Sequence, residues 1–194
     1  CDKCCTKICY LSSGGVMVEW TQTPSLFDKP VTLNRLMLIG CTKNKHDAGY
    51  NPQTGGRVVP EQLYKSALFS KRLDYAEERG LRWAVLSAKY GVWFPNIALK
   101  PYDKTFAEMH AAEIAAWHVG VAMRLIEELW EPFNLKESND ALKPSELTIE
   151  IHAGADYCHP LAEILQAIGI KVELPLKGLG IGEQLAWYGK QVAV

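Results

Sequence analysis

Four short polar clusters carry the side chains that could do chemistry. They are Cys41-Thr42-Lys43-Asn44-Lys45, Ser87-Ala88-Lys89-Tyr90-Gly91, His152-Ala153-Gly154-Ala155-Asp156-Tyr157 and Lys177-Gly178-Leu179-Gly180-Ile181-Gly182. Cys41 is a candidate nucleophile if a cationic neighbour or a helix end lowers its pKa, and His152 is the candidate base to pair with it. The alternative for Cys41 is a small buried thiol with no reaction to perform. Ser87 is a second hydroxyl candidate, but it lacks the G-x-S-x-G elbow of a hydrolase and also suits a tight strand exit. Asp103, in Lys100-Pro101-Tyr102-Asp103-Lys104, is a candidate general base or the cap of the helix that follows. Asp156 is the other carboxylate placed to activate water or to stabilise a developing oxocarbenium ion. Tyr90, Tyr102 and Tyr157 have the ring faces on which a nucleobase stacks.

Lys43, Lys45, Lys89 and Lys177 add positive charge to these clusters and suit a phosphate or carboxylate ligand. Each alone also reads as a solvated surface lysine. Gly178, Gly180 and Gly182 form a G-x-G-x-G run ahead of a helix, where backbone can approach an anion closely. The run follows the last strand and lacks dinucleotide spacing, and no Lys-Ser or Lys-Thr closes it as a Walker loop requires. A plain glycine-rich turn is the competing reading.

The elements that must position these clusters are legible from hydrophobic pattern. Leu36–Gly40, Trp83–Ser87, Leu147–Ile151 and Ile170–Leu174 are short apolar runs that read as buried strands. Between them lie helical patterns. One opens at Pro60 and closes at Gly80, where proline suits the first turn and glycine the end. A second runs from Ala107 to Trp130, with Ile114, Trp117, Val121 and Leu125 at core-facing spacing. A third starts at Pro160 and ends at Gly169, and Gly182 to Gln191 closes the chain. Residues 88–105 read as a long loop. The expected fold is α/β: a three-layer sandwich around a mostly parallel sheet of about four to five strands. In such a sheet ligands bind beyond the carboxyl ends of the strands, which is where all four clusters fall.

The chain has 194 residues and a net charge of −1, which suits one globular domain and excludes a strongly basic nucleic-acid binder at whole-chain level. No apolar run approaches the roughly 18–20 residues of a membrane span, so no membrane partner is expected. Residues 33–194 read as the α/β domain and residues 1–32 as a cysteine-rich arm. Cys1, Cys4, Cys5 and Cys9 crowd into that arm. Their spacing could hold a structural zinc, although zinc ligand pairs usually come from separated segments. Cysteines clustered at one end do not make a disulfide framework, which favours a reducing cytoplasm.

Read together, the motifs C-x-x-K, L-Y-x-S-x-x-F, S-A-K-Y-G and P-Y-D resemble an uncharacterised bacterial and phage domain family. The residues that carry the resemblance are Leu38-Ile39-Gly40-Cys41-Thr42-Lys43-Asn44-Lys45, Leu63-Tyr64-Lys65-Ser66-Ala67-Leu68-Phe69, Leu86-Ser87-Ala88-Lys89-Tyr90-Gly91 and Pro101-Tyr102-Asp103. The resemblance runs through His152–Tyr157 to Pro175–Gly182, about residues 35–190. Val92 stands where the family usually has leucine, and Asn44 separates the lysines. The chain is also distantly similar to the uracil-DNA-glycosylase-like domain of archaeosine-type tRNA transglycosylases, and to the DNA-associated peroxide-stress protein YaaA. These similarities imply nucleobases or nucleic acids and transfer no residue role.

The expected function is therefore an enzyme-like domain acting on a nucleotide, nucleoside or nucleic acid, with N-glycosidic or nucleotide chemistry. Its partner would be an anionic small molecule or a nucleic acid. A non-catalytic binding module with the same site is the alternative, and a cysteine-nucleophile enzyme follows it.

Overall fold

The computed structural model describes residues 34–43, 45, 56–130 and 143–191. The cysteine-rich arm, with Cys1, Cys4, Cys5 and Cys9, lies outside the described residues.

β1 (Arg35–Gly40) is the middle strand of a five-stranded sheet. It pairs in parallel with β2 (Arg82–Ser87) on one side and β4 (Thr148–His152) on the other. β5 (Lys171–Glu173) extends the parallel sheet beyond β4. β3 (Gly91–Trp93) turns back antiparallel on β2, giving the order β3-β2-β1-β4-β5. The predicted three-layer α/β sandwich is thus observed, with one addition: residues 88–105 are not all loop, because they include β3. Three features of the local sequence form that hairpin. The Ser87 hydroxyl accepts the amides of Lys89 and Tyr90 at 3.3 and 3.0 Å. Gly91 takes φ +69°, a conformation side chains resist. Trp93 is then fully buried and anchors the return strand.

Alternation along the strands divides the core. Leu36 and Leu38 of β1, Ala84 and Leu86 of β2, and Ile149 and Ile151 of β4 face one helical layer. That layer is α3 (Ala111–Trp130) with α4 (Ala155–Ala167). Met37, Ile39 and Val85 face the other layer, α2 (Ala67–Glu78) with α5 (Ile181–Gln191).

The helix expected from Ala107 begins instead at Ala111, after a separate short turn at Phe106–Glu108. Two other helices differ from the sequence expectation in ways that matter for the site. The predicted helix from Pro60 to Gly80 is broken. A single turn, α1 (Pro60–Leu63), stops at Tyr64, whose backbone is extended. Ser66 then caps α2, its hydroxyl accepting the Phe69 amide at 3.1 Å. The other helix, α4, does not start at Pro160. It begins at Ala155, with Gly154 as N-cap and Pro160 in its interior. A proline there cannot donate to the carbonyl four residues back, which belongs to Asp156. His118, buried on α3, lies between two carbonyls, Nδ1 2.8 Å from that of Ile114 and Nε2 2.9 Å from that of Asp156, and in its Nε2–H tautomer it supplies the missing donor.

Candidate functional site

Strand order reverses between β1 and β4, because the chain runs from β1 outward to β2 and β3 and then returns past β1 to β4 and β5. The carboxyl ends of β1 and β4 therefore flank the topological switch point of the sheet, the usual ligand crevice in open α/β folds. The two strand ends are held unusually close there. A Cβ on Gly40 would sit 2.7 Å from Ala153 Cβ and 2.9 Å from Ala153 Cα. Only glycine fits at that position.

Cys41 leaves β1 at this point, half-buried, with its amide donating to the Leu86 carbonyl at 3.1 Å. Its Sγ lies 3.6 Å from the Tyr157 hydroxyl, which comes from the first turn of α4. The Tyr102 and Tyr64 hydroxyls meet at 2.8 Å, and Ser87 and Cys41 both lie within hydrogen-bonding reach of Tyr102. One thiol, one serine and three phenols thus converge from β1, β2, α4, the turn after α1 and the loop after β3. The broken helix is what delivers Tyr64: its extended backbone bridges Lys45 and turns its ring into the cluster.

The phenols are held protonated. Burial raises Tyr64, Tyr102 and Tyr157 well above the usual tyrosine range, and neighbouring Cys41 raises the last two further. The cluster is therefore a set of neutral hydroxyls that can both donate and accept. Phe106 stacks on Tyr157 at 3.9 Å, and Trp117 meets the same ring edge-on at 5.4 Å while its Nε1 donates to the Ser87 carbonyl at 2.9 Å. These contacts fix where the Tyr157 hydroxyl points.

The same contacts change the expected role of the tyrosines. Tyr102 is only 8% exposed, with Tyr90 edge-on at 5.4 Å and Lys45 Nζ 4.8 Å from its ring centre. Tyr157 has one face taken by Phe106. Neither is an open platform for a base; both present hydroxyls instead. Tyr90 is half-buried, donates to the Lys100 carbonyl at 3.0 Å and carries Lys89 Nζ 5.2 Å from its ring centre. Lys45, Lys89, Tyr90 and Tyr102 are therefore one contiguous group, and Lys43 and Lys89 are exposed at its rim.

The Cys41–His152 dyad is not formed. His152 is fully buried and faces the α2/α5 layer, where both ring nitrogens are engaged. Nε2 lies 3.3 Å from Glu150 Oε2, and Nδ1 lies 2.5 Å from the Tyr188 hydroxyl. Burial lowers the His152 pKa, so the ring is neutral. Its Nε2–H donates to Glu150 and its bare Nδ1 accepts from Tyr188. No nitrogen is left to take a proton from Cys41. Burial alone would push the Glu150 carboxyl up, but hydrogen bonds from His152 and Arg35 more than offset this and hold it at about 2. Arg35 also pairs with Glu173 at 2.7 Å. At the other end of this interior network, the Arg72 guanidinium lies beside Tyr188 and donates to the Gly40 carbonyl at 3.2 Å. The network thus reaches the backbone just before Cys41. Arg72, Tyr188 and Glu150 escaped sequence reading. A charged residue at an inward position of an apolar strand, as in Leu147-Thr148-Ile149-Glu150-Ile151, was the available signal.

The remaining candidates separate clearly. Asp103 is highly exposed and lies 3.8 Å from Lys45 Nζ. It caps nothing: the turn that follows is closed by Glu108, which accepts the Thr105 amide at 3.0 Å. Asp156 is exposed in the first turn of α4, where a negative charge complements the helix dipole. The glycine run does not offer an open helix N-terminus. Glu183 reaches back to accept the Gly180 amide at 2.8 Å, filling the place an anion would take. Gly178 takes φ +80° in the turn, and Gly182 lies in the first turn of α5. Lys177 is exposed beyond β5, two strands away from β1. The N-terminus at the switch point is that of α4, which no side chain caps.

A family of unknown function, DUF6884, matches residues 36–190, from the start of β1 to the end of α5. The chain belongs to this family. The match spans the whole sheet and every residue of the hydroxyl cluster. No curated protein and no solved structure matches the chain. Among the described residues no group of three or more His, Cys, Asp or Glu side chains is arranged to hold a metal ion, and no helix is long and apolar enough to cross a membrane.

Proposed function

We propose that this domain binds a nucleotide, nucleoside or nucleic acid at the β1/β4 switch point and acts on it there. One observation carries the reading: the Cys41 thiol and the Tyr64, Tyr102 and Tyr157 hydroxyls converge beside an uncapped helix N-terminus. Neutral phenols suit the mixed donors and acceptors of a nucleobase or a ribose. The leading amides of α4, at Ala155 and Asp156, with Lys43, Lys45 and Lys89 nearby, suit a phosphate. In this arrangement the base is held by hydroxyls and not stacked on the tyrosine rings.

Native mass spectrometry of freshly purified protein, before and after mild denaturation, tests the ligand class. A nucleotide mass lost on denaturation supports the reading. Equilibrium binding of labelled nucleotides and single-stranded oligonucleotides then tests the site. Tyr157→Phe and Lys89→Ala should each weaken binding about tenfold, the loss of roughly one hydrogen bond or charge contact. Binding unchanged in both variants overturns the assignment. Turnover of the bound ligand separates an enzyme from a binding module.

A second reading has its own observation. The Tyr157 and Tyr102 hydroxyls both lie within hydrogen-bonding reach of Cys41 Sγ, which suits a thiol that attacks a carbonyl. Iodoacetamide labelling of Cys41 at pH 6 no faster than a free thiol counts against it.

A further inference from the structure

Positive charge gathers along one side of the crevice, although the whole chain carries −1. A short two-stranded ribbon starts it. Val58 and Leu99 exchange both backbone hydrogen bonds, at 2.9 and 3.0 Å, and pack inward on the α2/α5 side of the sheet. The positions beside them, Arg57 and Lys100, face each other across the ribbon, and both are exposed. Like charges set directly opposite on paired strands are destabilising, so the fold gains nothing from this pair.

Contacts lead from the ribbon to the crevice. The Lys100 carbonyl accepts the Tyr90 hydroxyl at 3.0 Å, and Lys89 Nζ stands 5.2 Å from the centre of the same ring. Tyr90 meets Tyr102 edge-on, and Cys41 lies within hydrogen-bonding reach of Tyr102. Lys43, two residues beyond Cys41, is exposed at the far end. Arg57, Lys100, Lys89 and Lys43 thus follow one path to the end of β1. Carboxylates do not neutralise it. Among the described residues none of these four cations has an ion-pair partner. Asp103 is met by Lys45, and Glu108 spends an oxygen on the Thr105 amide. Lys104 is not counted, because Glu113 lies in its field.

We propose that this path holds the sugar–phosphate backbone of a single-stranded nucleic acid that runs into the β1/β4 crevice. The proposal rests on the ligand class assigned to the crevice above and narrows it from a mononucleotide to a strand. A mononucleotide places its phosphate at the crevice and has no use for Arg57 or Lys100. A polymer with one charge per unit uses all four cations. The strand is single because the phenol hydroxyls can reach base edges only where those edges are unpaired. An acidic peptide matches the cations but brings no heterocycle with mixed donors and acceptors to the crevice.

Fluorescence anisotropy of the full chain with labelled single-stranded DNA and RNA of about 12 nucleotides tests this. Between about 50 and about 200 mM salt, the logarithm of the affinity should fall against the logarithm of salt with a slope of about −3, for four phosphate contacts on a single strand. Arg57→Gln with Lys100→Gln should roughly halve that slope. Arg57→Glu with Lys100→Glu should weaken strand binding at least about tenfold at the lowest salt, with circular dichroism unchanged because both side chains are exposed. Strand affinity unmoved by the charge reversal, or a slope unmoved by the glutamine pair, overturns the proposal. So does a duplex or a polyglutamate of equal length bound as tightly as the strand, the latter assigning the path to acidic proteins. Mononucleotide binding with no gain for a strand overturns it and leaves the crevice assignment standing. Strand binding that depends on Arg57 and Lys100 but not on Tyr157 upholds the path and overturns the crevice assignment. No binding of either strand overturns the proposal outright.

Discussion

His118 and Pro160 are coupled through one carbonyl oxygen, and a double-mutant cycle measures that coupling. In α4 the Asp156 carbonyl has no helical donor, because the residue four positions on is Pro160. His118 Nε2 provides the bond at 2.9 Å from a site only 2% exposed. His118→Leu keeps an apolar side chain of similar reach and removes the donor. It removes one hydrogen bond from that carbonyl, which costs about 1 kcal/mol. Pro160→Ala restores a backbone N–H aimed at the same oxygen and removes an interior proline, so it should stabilise the protein on its own. In the Pro160→Ala background the cost of His118→Leu should fall by about 1 kcal/mol, the net worth of one hydrogen bond. Urea denaturation followed by tryptophan fluorescence gives the four free energies. If the two substitutions add to within about 0.3 kcal/mol, the carbonyl is not shared and the account of why α4 tolerates its proline is refuted.

Acid stability should report the interior network. Glu150 titrates at about 2 in the fold against 4.5 in an unfolded chain, so its stabilisation is present above pH 4.5 and is lost as pH falls towards 2, on the order of 3 kcal/mol in all. His152, whose pKa burial lowers, adds a loss in the same direction that begins below about pH 6.5, because the unfolded chain takes up the proton first. Glu150→Gln should flatten the acid limb of a stability–pH curve; an unchanged limb would show that other carboxylates set it. Gly40→Ala should cost about 1–3 kcal/mol, because its Cβ meets Ala153 backbone at 2.9 Å and the two central strands must part. Thermal denaturation checks it, and a variant as stable as the parent contradicts the close approach. Ser66→Ala should cost about 1 kcal/mol by uncapping α2, measurable in the same assay.

Much of the sheet was legible because its parallel strands are buried on both faces and so read as unbroken apolar runs, as in Leu36–Gly40. The return strand at Gly91–Trp93 was not, because three residues at a sheet edge leave no periodic signal and only the Ser87 turn marks them. Proline misled in both helices for one reason. Pro60 and Pro160 both look like helix starts, yet Pro60 opens only a single turn and Pro160 sits inside a helix whose lost bond is met from α3. That rescue is a tertiary contact and has no local trace. That Cys41, Ser87 and Tyr157 gather at one edge of the sheet was legible, since strand ends set it. The direction of each side chain was not, since His152 follows the strand alternation inward while Tyr157 turns to Cys41. Tyr64 was missed as a site residue because it stood within a helical pattern that breaks at that residue.

The central place of β1 has a consequence for how the chain is made. β1 is made before the other four strands of the sheet, but one of its two neighbours, β4, begins 113 positions later, as the Arg35–Thr148 pairing shows. Until the ribosome has delivered Thr148–His152, a nascent chain can hold β1 only against β2, with the other hydrogen-bonding edge open to any strand nearby. Leu36, Leu38 and Ile39 sit on that open edge. Truncations that stop after α3 should therefore yield aggregates and not a smaller domain, and the last quarter of the chain is what closes the fold.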